Sequence, residues 1–178
     1  MKKILLVGVK HCGKSSAGRR LAARLGCLFV DCDTEIESRD AAANGGVKRS
    51  TREIFRAVGQ EEFRKLEKQA LYAILNRDEE LVAAAGGGLA EDPELNWEEL
   101  RAKAKIVFLE TPEEVLWARI SGKKELPAYL PQEPEAARRE LALINERRRA
   151  VYRKESHAIV VTAGRSDETA LRIIRLCR

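Results

Sequence analysis

The chain predicts an α/β fold built on a parallel sheet, read as one domain over residues 1–178. Two observations carry this. Short apolar runs at residues 4–7, 27–30, 81–85, 105–109 and 158–161 alternate with helical patterns, so each run is followed by a crossover of helix length. Between the first run and the first helix lies a glycine-rich loop, Gly8-Val9-Lys10-His11-Cys12-Gly13-Lys14-Ser15, which fits G-x-x-x-x-G-K-[ST]. Right-handed crossovers bring the C-terminal ends of all strands to one rim. Motifs far apart in the chain are therefore expected to meet there.

Each element has its own signal. Residues 14–25 place Ala17, Leu21, Ala22 and Leu25 at helical spacing, and Gly26 suits a left-handed C-cap. The second strand ends at Asp31-Cys32-Asp33. Residues 34–43 read as a helix, broken by Asn44-Gly45-Gly46. Residues 51–55 form a short helix. Residues 60–76 form a long one, with Phe63, Leu66, Ala70, Leu71, Ile74 and Leu75 on one face. The third strand runs into Gly86-Gly87-Gly88. After the fourth comes a helix over 111–120, with Thr111 as N-cap and Pro112 at the first helical position. Residues 121–134 lack an apolar period and read as a surface excursion. A charged helix over 135–155, the fifth strand, and a helix over 167–176 with Ser166 as N-cap close the chain.

Composition narrows the function. The 33 basic and 28 acidic residues leave a net charge of +5, too modest and too interspersed for a nucleic-acid footprint, and aromatic residues are few. No apolar run approaches the ~20 residues of a membrane span, and Met1-Lys2-Lys3 leads directly into the first strand. A cytoplasmic protein with reduced thiols is expected, binding neither nucleic acid nor membrane. Cys12, Cys27, Cys32 and Cys177 show no zinc spacing.

The loop is a phosphate cradle. Gly8 and Gly13 let the backbone curl so that N–H groups point inward, and the following helix aims its positive end at the same anion. Lys14 supplies a charge for the β- and γ-phosphates, and Ser15 suits Mg²⁺. Asp31 and Asp33, two apart at a strand end, face the same way if the strand continues. One then serves the water shell of the metal and the other orients or deprotonates a hydroxyl; alternatively, either one caps the next helix. The triple glycine marks a close backbone approach, to a ligand or in a turn. Arg64 and Glu67 share a helix face, as a surface ion pair or a functional one. Arg148 and Tyr152 lie one turn apart, and arginine suits a planar carboxylate.

These residues resemble the shikimate kinase family over nearly the whole chain. The family pattern has a G-x-x-G-x-G-K-[ST] loop, a strand ending in D-x-D, I-F-x-x-x-G-E-x-x-F-R-x-x-E, a G-G-G turn and a late R-x-P-x-Y. In the same order stand Gly8 to Ser15, Asp31-Cys32-Asp33, Ile54-Phe55 with Gly59 to Arg64 and Glu67, Gly86-Gly87-Gly88, and Arg148 to Tyr152. The resemblance implies a three-layer P-loop nucleoside-kinase-like fold with a five-stranded parallel sheet. It implies a mobile lid at 121–134 and a substrate-binding region at 34–66.

The implied reaction is transfer of the γ-phosphoryl group of ATP to shikimate, with Mg²⁺ as cofactor and ADP as product, by a monomer. The implied catalytic residues are Lys14 and Asp33. ATP falls to Gly8, His11, Cys12, Gly13, Lys14, Ser15, Ser16 and Arg119, and the metal to Ser15 and Asp31. Shikimate falls to Asp33, Arg64, Gly86, Gly87, Gly88 and Arg148. The chain departs from the pattern at Leu126, where the lid of the family carries an arginine, with Lys123 and Lys124 as nearby cations. It departs also at Gln60, at Ala150 and in a longer 41–48 segment. Two other readings share the P-loop: a kinase for another polyhydroxy acid such as gluconate, and a non-catalytic nucleotide-binding homologue.

Overall fold

A computed structural model describes residues 3–122, 126–127 and 129–177. Five strands pair in parallel in the order β2-β3-β1-β4-β5. They are β1 (Lys3–Val7), β2 (Leu28–Asp31), β3 (Leu81–Ala84), β4 (Lys105–Glu110) and β5 (Ala158–Val161). β1 sits at the centre, with Leu5 opposite Ala83 on one side and Ile106 on the other. Its apolar residues are buried on both faces, as a central parallel strand requires.

Seven α-helices appear among the described residues: α1 (Lys14–Leu25), α2 (Cys32–Ala43), α3 (Thr51–Leu75), α4 (Trp97–Lys103), α5 (Glu113–Ser121), α6 (Pro134–Glu155) and α7 (Ser166–Cys177). Strand alternation sorts them into layers. Ile4 and Leu6 pack with Leu21, Leu116, Leu141 and Ile173 of α1, α5, α6 and α7. Leu5 and Val7 face the other way, towards Leu71 and Ile74 of α3 and Leu100 of α4. Each such side chain contributes about 1.5–3 kcal/mol on burial. The three layers and the five-stranded parallel sheet agree with expectation.

α6 takes part in both clusters. Its Leu141 and Ile144 belong to the first and its Tyr152 to the second. Arg148 lies between them on the same buried side of the helix. A third, smaller cluster of Ile36, Ile54, Phe63 and Ala70 joins α2 to α3 away from the sheet.

Several boundaries differ from the sequence reading, each for a local reason. α2 starts at Cys32 rather than Thr34, because the Asp31 carboxylate accepts the Asp33 N–H at 3.1 Å and caps the helix. α3 contains both expected helices, joined at Gly59, whose φ of 80° and ψ of 174° break the helical path. A capping box between Ser50 and Glu53 starts it. α4 and a 3₁₀ turn at Leu89–Glu91 carry no periodic signal in the sequence, since seven and three residues are too short to show a period. Thr111 is not the N-cap of α5. Pro112 takes that position without a side-chain bond, and the Thr111 hydroxyl turns instead to the loop after β1.

Candidate active site

A cleft of about 1000 Å³ opens where the strands end. Its lining joins the loop from Lys10 to Ser16 with Asp31, Asp33, Arg64, Gly87, Gly88, Arg119 and Arg148. Of the residues expected to bind ATP, metal or acceptor, Gly8 and Gly86 do not line the cleft.

The phosphate end is shaped by backbone. Gly8, His11 and Gly13 have φ of 144°, 67° and 100°. A side chain on Gly8 would press on Cys12 Sγ and Leu109 O, each 2.8 Å from its Cβ position. His11 is the one described non-glycine residue with positive φ. It stands where the family pattern has a glycine, and the left-handed conformation costs a side-chain-bearing residue roughly 1–2 kcal/mol. Cys12 is fully buried beneath the loop. Lys14 Nζ donates to Gly8 O at 2.8 Å and Val9 O at 3.0 Å, which holds the ammonium over the loop.

Two threonines brace this loop. The Thr111 and Thr162 hydroxyls lie 2.6 Å apart, and each is within 3.3 Å of the Cys12 carbonyl. They arrive from the ends of β4 and β5. No sequence motif marks either threonine for this role. Arg119 of α5 closes the same side, with Nη1 donating to His11 O at 3.2 Å and Nη2 to Thr162 O at 3.4 Å.

Between the two ends lie the carboxylates. Ser15 Oγ donates to Asp31 Oδ2 at 2.5 Å, so two hard oxygen donors share one place beside the phosphate loop. Asp33 does not face the same way by strand alternation: it stands in the first turn of α2. Burial, reinforced by the Asp31 charge, pushes its carboxyl above the usual range, against the opposing pull of Lys10 and Lys14. Among the described residues no group of three His, Cys, Asp or Glu forms a metal cage.

At the far end, side chains do the shaping. Arg64 and Glu67 form an ion pair, but not a surface one, since their side chains are only 20% and 6% exposed. Burial pushes the Glu67 carboxyl up, opposed by Arg64. The triple glycine approaches these groups and the phosphate loop rather than solvent. A Cβ on Gly86 would collide with Glu67, on Gly87 with the Lys10 backbone, and on Gly88 with the Arg64 guanidinium. Arg148 Nη1 donates to Gly87 O at 2.9 Å, and the Tyr152 hydroxyl donates to the same oxygen at 3.4 Å. Tyr152 in turn accepts the Ala90 N–H.

Glu91, absent from the sequence reading, accepts from Arg148 Nη2 at 2.6 Å and lies 3.5 Å from Arg64 Nη2. Leu126 packs against the first core cluster and lines the cleft. Lys123 and Lys124 lie outside the described residues.

A P-loop at the end of the central strand, a carboxylate pair beside it and two arginines across one cleft define a P-loop kinase acting on a small anionic acceptor. Comparison with known proteins narrows this class. A shikimate kinase profile matches residues 10–178, and the chain belongs to the shikimate kinase family, phosphotransferases that act on a hydroxyl group. The shikimate kinase of Persephonella marina is 33% identical over 166 residues, covering 93% of this chain and 92% of the relative. That of Aromatoleum aromaticum is 36% identical over 164 residues, covering 92% and 86%. The structure of shikimate kinase from Acinetobacter baumannii in complex with shikimate superposes with a TM-score of 0.81 at 32% identity, covering 99% of this chain and 93% of that one.

Proposed function

We propose that this protein transfers the γ-phosphoryl group of ATP to the 3-hydroxyl of shikimate, giving shikimate 3-phosphate and ADP, as a step of aromatic amino acid biosynthesis. The observation that carries the reading is the convergence of Lys14, Asp33, Arg64 and Arg148 on one cleft. An acceptor held by its carboxylate on the two arginines has its ring between them and the phosphate loop.

Asp33 orients the attacking hydroxyl and takes its proton. A carboxylate with a raised pKa is a better proton acceptor than an ordinary one. The hydroxyl oxygen bonds to the γ-phosphorus, the bond to the β,γ-bridging oxygen breaks, and ADP leaves. Lys14 offsets charge on the transferring group. The loop from Gly8 through Gly13, with Ser15 and Ser16, cradles the phosphates. Arg119 packs on the adenine. The oxygen donors Ser15 and Asp31 suit Mg²⁺, which would supply charge neutralisation on the phosphates. Gly86, Gly87 and Gly88 keep the acceptor side open and let Arg64 and Glu67 come close.

The same reading assigns residues 34–66 to acceptor binding and 121–134 to a lid that excludes water on closing. It makes the protein a cytoplasmic monomer of one domain that binds no nucleic acid. Among the described residues no helix is long and apolar enough to cross a membrane. The test is incubation with Mg·ATP and shikimate, gluconate or a nucleoside monophosphate, following ADP release and the phosphorylated product. Shikimate 3-phosphate is the expected product. ATP binding without product from shikimate would overturn the reading.

A further inference from the structure

Glu91 ends the 3₁₀ turn that follows the triple glycine. Its carboxylate is the common partner of the two arginines on which acceptor binding rests. Oε2 accepts from Arg148 at 2.6 Å and lies 3.5 Å from Arg64 Nη2, while Oε1 lies 4.0 Å from Arg147 Nη2. Arg148 is 7% exposed at its side chain, so its charge needs a counter-ion. Glu91 provides one without using either fork fully. The Nε of Arg64 and of Arg148 are both buried with no hydrogen-bond partner, and a bidentate carboxylate takes two parallel N–H groups from one arginine. The two acidic neighbours also differ in freedom. The Glu67 side chain is 6% exposed and enclosed, whereas that of Glu91 is 28% exposed and has a path to water.

The geometry points to Glu91 as a resident counter-ion that occupies the arginine pair and that the carboxylate of the acceptor must displace. The inference rests on the proposed placement of that carboxylate on Arg64 and Arg148. An anionic acceptor exchanges one carboxylate for another and leaves both arginines compensated. A neutral polyol cannot make the exchange. It must bind beside a filled seat or strand buried positive charge, so Glu91 adds discrimination against uncharged acceptors. Protonation does not open the seat. Burial pushes the Glu91 carboxyl up, but Arg148, Arg64 and Arg147 outweigh it and hold the pKa below the usual value.

The test compares the wild type with Glu91→Gln and Glu91→Ala, using steady-state kinetics and calorimetric binding of shikimate, its methyl ester, quinate and gluconate. Thermal melts confirm that the variants are folded. Glu91→Gln should lower KM and Kd for shikimate roughly three- to ten-fold, the worth of one net hydrogen bond, because the retained amide still contacts the arginines. kcat should move less than KM, and the methyl ester should gain less than the acid. Glu91→Ala should move in the same direction. A higher shikimate KM in Glu91→Gln, or equal changes for acid and ester, would overturn the exchange.

If the wild type turns over shikimate and Glu91→Gln binds it no more tightly, the exchange falls and the assigned reaction stands. If the wild type does not phosphorylate shikimate but Glu91→Gln binds the carboxylates more tightly, the exchange stands and the assigned acceptor falls. If neither protein binds any of the acids, both fall.

Discussion

At the phosphate end of the cleft, one short loop turns through three left-handed residues, Gly8, His11 and Gly13, and offers backbone. At the other end, where we propose that the acceptor binds, Asp33, Arg64, Gly87 and Arg148 arrive on α2, α3, the turn after β3, and α6, and offer mainly side chains. The first end is held from behind by Thr111 and Thr162. The second is held by charge: Glu67 on Arg64, Glu91 between Arg64 and Arg148, and Gly87 O on Arg148. The contrast suits the ligands. A polyphosphate is recognised by many N–H dipoles of fixed geometry, whereas a small acid needs a few directed charges. It also means that mutations should separate the two ends.

The largest expected effect lies between them. Asp33→Ala should lower kcat by about 10²–10⁴-fold, as for loss of a general base, with ATP affinity nearly unchanged. Near-normal turnover, measured by ADP release, would remove Asp33 from proton transfer. Next, Arg148→Ala should raise the acceptor KM by roughly 10–100-fold, the worth of a buried charged hydrogen bond, and leave the ATP KM within about two-fold. An ATP KM that rises in parallel would show that the two ends are not independent. Conversely, Thr162→Val should raise the ATP KM by only about five-fold, one net hydrogen bond, and spare the acceptor KM. A shift confined to the acceptor would break the assignment of the threonine pair to the phosphate loop.

The smallest effect is read in pH. Because the Asp33 pKa is raised, kcat/KM for the acceptor should fall on the acid side with a midpoint above that of an ordinary aspartate. The stability sign is the reverse of a salt-bridged carboxylate. A raised folded-state pKa contributes stability below the unfolded value and loses it as pH rises through the folded value. At neutral pH the buried charge is therefore a net cost. Asp33→Asn should raise Tm at pH 7, with the gain fading as pH drops below the ordinary aspartate range. A Tm that falls at pH 7 would show that Asp33 has a structural partner.

The difference between the two ends also explains what could be read from the chain before its structure. The phosphate loop is contiguous, its backbone conformations are local, and its strand and helix flanks carry their own periodicity. It was legible in full except for two points. His11 breaks the glycine pattern at a left-handed position, a departure visible on comparison with the family form. Thr111 carried a plausible capping signal, which Pro112 and the pull of the Cys12 carbonyl overrode. At the proposed acceptor end, only the family resemblance distinguishes Arg64 and Arg148 from the neighbouring charges in the sequence. The pair Arg64–Glu67 had the spacing of a surface ion pair, and only burial distinguished it. Strand alternation does not set the direction of Asp33, because the chain turns into a helix one residue after Asp31. Glu91 had no signal, lying in a turn too short to show periodicity.

The sequence by itself determined the strands, the helices that cross between them apart from α4, the phosphate loop and hence the rim on which the site is built. Those follow from local propensity and from the fixed hand of parallel crossovers. The tertiary structure decided which of many charges are enclosed, and which carboxylate faces which arginine. Burial and partnership depend on elements that are remote in the chain and meet only when the sheet is assembled. The enclosed Arg64, Arg148 and Asp33 differ from their exposed neighbours in surroundings and not in residue type, because desolvation strengthens a charge interaction that water would screen.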